Sequence, residues 1–234
     1  MPFSDPSSIT ITGDDFGCSP AVNTEIERYH RAGMLHQASI MVDAPHVAEA
    51  VEIARRNPAL RVGLHLVVAD RNPALAGLRC AFDPVTRLTL RENIAHQFAQ
   101  FRALGFPATY WDGHMHLHLH PVVLRLTLPI AAAHGFRRVR LIREPGPPAL
   151  VPWIFARLSE KARPALDAAG IGYADCVFGL RATGRMDLAA FRAAFAQAKD
   201  DTEIYFHPGA EADPPDPAAL AKLQSDFVPP PAAA

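Results

Sequence analysis

Net charge is almost absent from this sequence: 23 basic and 24 acidic residues leave a formal charge of −1 over 234 residues. The charges are spread along the chain, so neither nucleic acid nor an anionic membrane is the expected partner, and small or neutral molecules are. Cysteine is scarce, three residues in all. Cys18, Cys80 and Cys176 lie far apart and lack metal-ligand spacing, which argues against a disulfide framework and fits a reducing compartment. Each is read as a small buried hydrophobe. No apolar run reaches membrane-spanning length, and the opening MPFSDPSS has neither the basic nor the apolar region of an export signal. A cytoplasmic protein without an integral membrane segment is the expectation that follows. Internal repeats and long linkers are missing too. Residues 1–227 are therefore expected to form one domain, and the tail VPPPAAA at 228–234 to be disordered.

What the chain does have is apolar material, 49% of its residues, arranged in alternating patterns. Strand-like runs occur at Ser8–Thr12, Ala38–Val42, Leu60–Val68, Thr109–Asp112, Arg138–Ile142, Gly172–Val177 and Glu203–Phe206. Helical patterns fall between them at Ala21–Ala32, Val47–Arg56, Arg91–Leu104, Val122–His134, Trp153–Ala169 and Leu188–Lys199. Ser19-Pro20 reads as a helix start, and Gly33, Gly105 and Gly135 as helix stops. The Pro-rich stretches Glu144–Pro152 and Pro208–Pro217 read as loops. Strict alternation of this kind predicts an α/β protein with a parallel sheet, a (β/α) barrel-like fold of about seven strands. Seven strands fall short of the usual eight, so the barrel is expected to be incomplete or distorted.

In such folds the reactive side chains sit where strands end, because the following loops open on one face. The first strand ends in GDDFGCSP with Asp14 and Asp15, the third in VGLHL with His65, the fourth in WDGHMHLHLHP with Asp112 and His114, and the last in FHPG with His207. Two adjacent carboxylates repel, and a cation at the shared rim would offset that repulsion. In an extended segment His114, His116, His118 and His120 would share one face; in a helix only His114 and His118 would align. A divalent ion needs two or three protein ligands with positions left open, so at most one or two of these histidines can touch it. The others are expected to line the pocket or to bond to the ligands.

These residues, in this order, resemble the YdjC-like carbohydrate deacetylase family, in which a DDFG opening, a GLHL strand and a D-S-H-x-H-x-H strand end recur. Here they stand as Asp14–Gly17, Gly63–Leu66 and Asp112–His118, and the resemblance runs from about Ile11 to Gly209. Ala174–Met186, ADCVFGLRATGRM, is similar to the branch associated with hopanoid lipid biosynthesis. The resemblance implies a barrel-like fold and one divalent metal ion, Zn or Mg, held by Asp15, His65 and His114. It implies removal of an N-acetyl group from an amino sugar or a sugar-bearing lipid, with Asp14 as base on a water that the ion activates and His207 as acid. Asp112, His116 and His118 are expected to bind substrate or support the ligands. Gly13 and Gly113 depart from the family's usual alanine and serine. The chemistry agrees, since amide hydrolysis needs a polarised carbonyl, an activated water and a proton donor. It also asks that Asp14 keep a free carboxylate for the water.

Two other readings remain open at this point: a metallo-phosphoesterase or amidohydrolase with HMHLH as its metal core, and a non-catalytic sugar- or lipid-binding barrel. The expected partner in the main reading is a small acetylated sugar or glycolipid. Oligomeric state is left open, a homodimer among the options.

Overall fold

The computed structural model describes residues 9–69, 77–79, 82–199 and 201–227. The expected disordered tail and Cys80 lie outside the described residues. Seven strands, β1 (Ile9–Phe16), β2 (Gln37–Ile40), β3 (Arg61–Leu66), β4 (Tyr110–Gly113), β5 (Arg138–Val139), β6 (Cys176–Phe178) and β7 (Thr202–Phe206), form one sheet in the order β5-β4-β3-β2-β1-β7-β6. Every pairing is parallel. Between and after the strands run α1 (Pro20–Arg31), α2 (Val47–Arg56), α3 (Pro84–Ala103), α4 (Pro121–Ala133), α5 (Leu150–Ala168), α6 (Leu188–Gln197) and α7 (Pro217–Phe227). The sheet curls into a half-barrel, and its edges approach at a single parallel bridge, Arg138 with Gly172. The strand-like run read at Gly172–Val177 is thus split, with the bridge at Gly172 and β6 starting at Cys176.

Local signals act as read. Ser19 caps α1 by accepting from the Val22 amide at 3.2 Å, with Pro20 in the first turn. Asp83 and Asp187 cap α3 and α6 in the same way. Gly33, Gly105 and Gly135 carry positive φ after α1, α3 and α4. The loop read at Pro208–Pro217 gives way to α7, whose Leu220 and Leu223 are buried. That helix was missed because its Ala-rich sequence has few apolar positions and follows a proline cluster. Cys176 is buried as expected, whereas Cys18 is exposed in the turn after β1.

Apolar and polar residues alternate along the strands, and the two sets face different cores. Ile11, Ala38, Leu64, Trp111, Val139 and Phe206 are buried in the layer shared with the helices. Phe206, for example, stacks edge-on against Tyr29 of α1 and Phe191 of α6. The opposite set, Thr12 and Asp14, Gln37 and Ser39, His65, Asp112, Arg140, Glu203 and Tyr205, is buried inside the curl of the sheet and bonded together. Buried polar groups persist only when paired, and here they pair with one another.

At the opposite end of β1, His36 accepts a hydrogen bond at Nδ1 from the Ile11 amide at 2.9 Å. Burial, with Arg61 and His30 nearby, holds its pKa down to about 4. An unfolded imidazole titrates near 6.5, so the unfolded chain takes up a proton that the folded chain refuses. Stability is therefore complete above about pH 6.5 and falls as the pH drops toward 4, by up to about 2 kcal/mol between pH 7 and 5 from this residue. Urea midpoints at the two pH values should move apart by less in His36→Gln than in the parent; an equal separation would assign the pH dependence to other groups.

Candidate metal centre

The register of the sheet builds the site. His65 and Asp112 are direct partners across β3 and β4, and Asp112 Oδ1 accepts from His65 Nδ1 at 2.6 Å. β1 supplies the two aspartates. In a regular strand they would point to opposite faces. Here the pairing of β1 with β2 slips between Gly13 and Phe16, and Asp15 adopts φ 62°. The irregularity turns Asp15 toward the same rim as Asp14, a use of strain that bulges near reactive centres often show. Asp15 Oδ1 then lies 3.2 Å from His65 Nε2 and 3.1 Å from His114 Nδ1.

These three donors lie within 4.8 Å of one another. His65 Nε2 is buried without a hydrogen-bond partner and faces the Asp15 carboxylate. An orphaned imidazole nitrogen whose other nitrogen is given to a carboxylate is the arrangement of a metal ligand with its orienting group. Two imidazoles and one carboxylate, with open positions left, suit a divalent ion. A second group, Asp14, His65 and Asp112, is equally compact. It is already saturated: Arg140 donates to both Asp14 oxygens at 2.6 and 2.8 Å and lies 2.9 Å from Asp112 Oδ2, which also accepts from Ser39 at 2.6 Å.

Charge explains the protonation pattern without an ion. Burial alone would depress His65, but Asp112, Asp15 and Asp14 around it push it up to about 10. Asp15 is held far below the usual carboxylate range by His114 and His65 in spite of its burial. Four carboxyl groups, Asp14, Asp15, Asp112 and Glu203, thus share one cluster with the Arg140 guanidinium and the His65 imidazole, and a divalent cation would offset the excess.

The histidine run is neither an extended strand nor a helix. His114–Leu119 is a 3₁₀ segment broken by left-handed Met115 (φ 53°) and His116 (φ 56°). The break sends each histidine elsewhere: His114 to Asp15, His116 Nε2 to the Tyr205 hydroxyl at 2.8 Å, and His118 Nε2 to the Arg140 carbonyl at 2.8 Å. Burial keeps His116 and His118 below the ordinary imidazole range, His118 at about 4. An HMHLH metal core would need His116 beside His114, and the break separates their donors. Gly113 makes the His118 position available, since a Cβ there would stand 2.8 Å from His118 Nδ1.

Asp14, His65, His114, His116, Phe155 and His207 line a cavity of about 320 Å³. His207, from the end of β7, is partly exposed and faces Glu211 Oε1 at 3.4 Å, while its backbone amide donates to the same oxygen at 3.0 Å. Burial opposes its charge, but Glu211, Asp14 and Asp15 prevail and raise its pKa. Both oxygens of the Asp14 carboxylate accept from a guanidinium. Its partner Arg140 went unnoticed, as did Glu203, Tyr205 and Glu211. A usable signal was present: Thr10-x-Thr12-x-Asp14, Gln37-x-Ser39, Tyr110-x-Asp112 and Glu203-x-Tyr205 repeat a polar face at period two, and Arg138-x-Arg140 continues it.

The comparisons with known proteins fit this geometry. A family model described as YdjC-like protein matches residues 8–227. A carbohydrate deacetylase of Brevibacillus brevis is 29% identical over 63% of this chain and 60% of its own length. The carbohydrate deacetylase of Mus musculus is 28% identical over 88% of this chain and 79% of its own. A chitooligosaccharide deacetylase of Serratia marcescens is 28% identical over 58% and 60%. The chain thus spans less than two thirds of the Brevibacillus and Serratia relatives. A solved structure from Enterococcus faecalis V583 superposes with a TM-score of 0.61 over 94% of this chain and 85% of that one at 17% identity, which speaks for the fold alone.

Proposed function

The chain belongs to the YdjC-like protein family, and on that premise we propose that it is a divalent-metal hydrolase that removes an N-acetyl group from an amino sugar or a sugar-bearing lipid. The observation that carries this reading is the buried, unpartnered His65 Nε2 facing Asp15 and His114 at the floor of the cavity. Those three residues would hold the ion, Zn or Mg. When bound, it polarises the amide carbonyl and makes water more acidic.

The chain's own groups do the rest. Asp112 holds the His65 Nδ1 proton and so fixes the tautomer that turns Nε2 to the site. Asp14, fixed by the Arg140 fork, accepts the proton of the attacking water as its oxygen bonds to the carbonyl carbon. His207, whose charge Glu211 favours, gives its proton to the nitrogen as the carbon–nitrogen bond breaks. Acetate and a free amine leave. His116 and Phe155 shape the wall, and the buried His118 ties down the Arg140 backbone.

Metal analysis combined with acetate release from a panel of N-acetylated sugars and glycolipids tests the proposal. The purified protein should carry about one Zn or Mg equivalent and release acetate, and His65→Ala should lose both. Full metal content in His65→Ala would move the site elsewhere, and a metal-loaded protein that releases no acetate from any of the panel would leave a binding barrel.

A further inference from the structure

Of the nine exposed large hydrophobic side chains among the described residues, eight lie at or just before the starts of two helices. Leu150, Val151, Trp153 and Ile154 occupy the first turn of α5, with Trp153 60% exposed. Val85 and Leu88 occupy the first turns of α3, each 67% exposed, and Leu78 and Phe82 precede it. Both helices start from the site face, since they follow β3 and β5 in the chain. One contact ties α5 to the cavity: Phe155, the next residue of the α5 turn, lies edge-on to His116, its ring centre 5.3 Å away.

We propose that this rim docks on the surface of a lipid bilayer carrying anionic headgroups. The residue types fit such a surface, an indole and branched aliphatics at the tip of a helix N-terminus, reaching beyond the charged groups. The charge around the α5 tip is complementary. Arg157 and Lys161 continue the Trp153 ridge at helical spacing, and the Arg181 side chain crosses the loop before α5 close to Gly146. Arg185 is also exposed on the β6–α6 loop, and the acids among them are Glu160 and Glu144, which accepts from the Arg181 amide at 2.9 Å. Basic stems behind apolar tips are how peripheral proteins hold an anionic interface. The near-zero net charge hides this, because the excess is local. Among the described residues no helix is long and apolar enough to cross a membrane, so the contact is with the interface. The inference does not rest on the proposed reaction, and its readout is binding.

The protein has two tryptophans, and they report separately, since Trp111 is fully buried and Trp153 is exposed. Vesicles of phosphatidylcholine and phosphatidylglycerol should carry the protein in flotation and shift the Trp153 emission to the blue, less so as salt rises. Vesicles of phosphatidylcholine alone should bind more weakly. The surface double variant Trp153→Ser with Ile154→Ser should bind about tenfold more weakly or worse while keeping its melting temperature. No flotation and no blue shift at low salt would overturn the proposal, as would unchanged binding by the double variant. So would a parent protein that runs as a dimer and becomes monomeric in the double variant, because the face would then belong to a second copy.

Discussion

Replacing Arg140 by methionine is expected to cost about 3–5 kcal/mol of folding stability, a large share of what a domain of this size has. The side chain is fully buried and holds Asp14, Asp112 and Glu203 at 2.6–2.9 Å, with its guanidinium 4.3 Å from the centre of the Tyr205 ring. Methionine fills similar volume but leaves three carboxyl groups without the guanidinium they share, and that loss of charge compensation dominates the loss of packing. Burial opposes the charge of Arg140, yet the three carboxylates hold its pKa well above the usual range. Arg140→Lys should fall between parent and methionine variant, since an ammonium keeps the charge and cannot span Asp14 bidentately. Urea denaturation of the three proteins orders them. A methionine variant within about 1 kcal/mol of the parent would mean that water already reaches these carboxylates and shares their solvation.

Asp14→Asn is expected to keep its metal and to lose about 10²–10⁴-fold in turnover. The amide preserves size but cannot take a proton from water, while Asp15, His65 and His114 retain their donors. Because the new amide would face Arg140 without a charge, stability will fall as well, so turnover has to be read at a temperature where circular dichroism shows the variant folded. Metal content is measured on the same sample. Metal lost in proportion to activity would make Asp14 a ligand, and acetate release at the parent rate would remove it from the chemistry. His207→Ala, tested alongside, separates proton donation from proton abstraction, because an acetyl ester needs less help with its leaving group than an amide does.

Much of this was legible in the chain. Alternating strand and helix patterns named all seven strands of the sheet to within a few residues, since strand and helix periods, caps and glycine stops are short-range properties. Motif order led to the residues that gather at the rim. Less legible was the histidine run, where the 3₁₀ turn with its left-handed Met115 and His116 gives each imidazole a different partner. Spacing alone offered only a strand or a helix there, and neither has that geometry.

The residue types at strand ends offered Asp14, Asp15, His65 and the histidine run as candidates, and the family resemblance narrowed them to Asp15, His65 and His114. Their convergence depends on the slip in β1 and on the β3–β4 register, both of which come from pairing between segments far apart in the chain. The same holds for Arg140, 126 residues from Asp14 in sequence and in hydrogen-bond contact with it. An arginine among apolar residues says nothing about which carboxylates surround it, because Coulomb energy depends on distance through space and on the water that burial removes. The apolar rim is the third case. The exposed and buried faces of the helices that carry Leu88 and Trp153 are distinguished by their packed neighbours, and the parallel order of the sheet is what starts both helices on the face where the strands end.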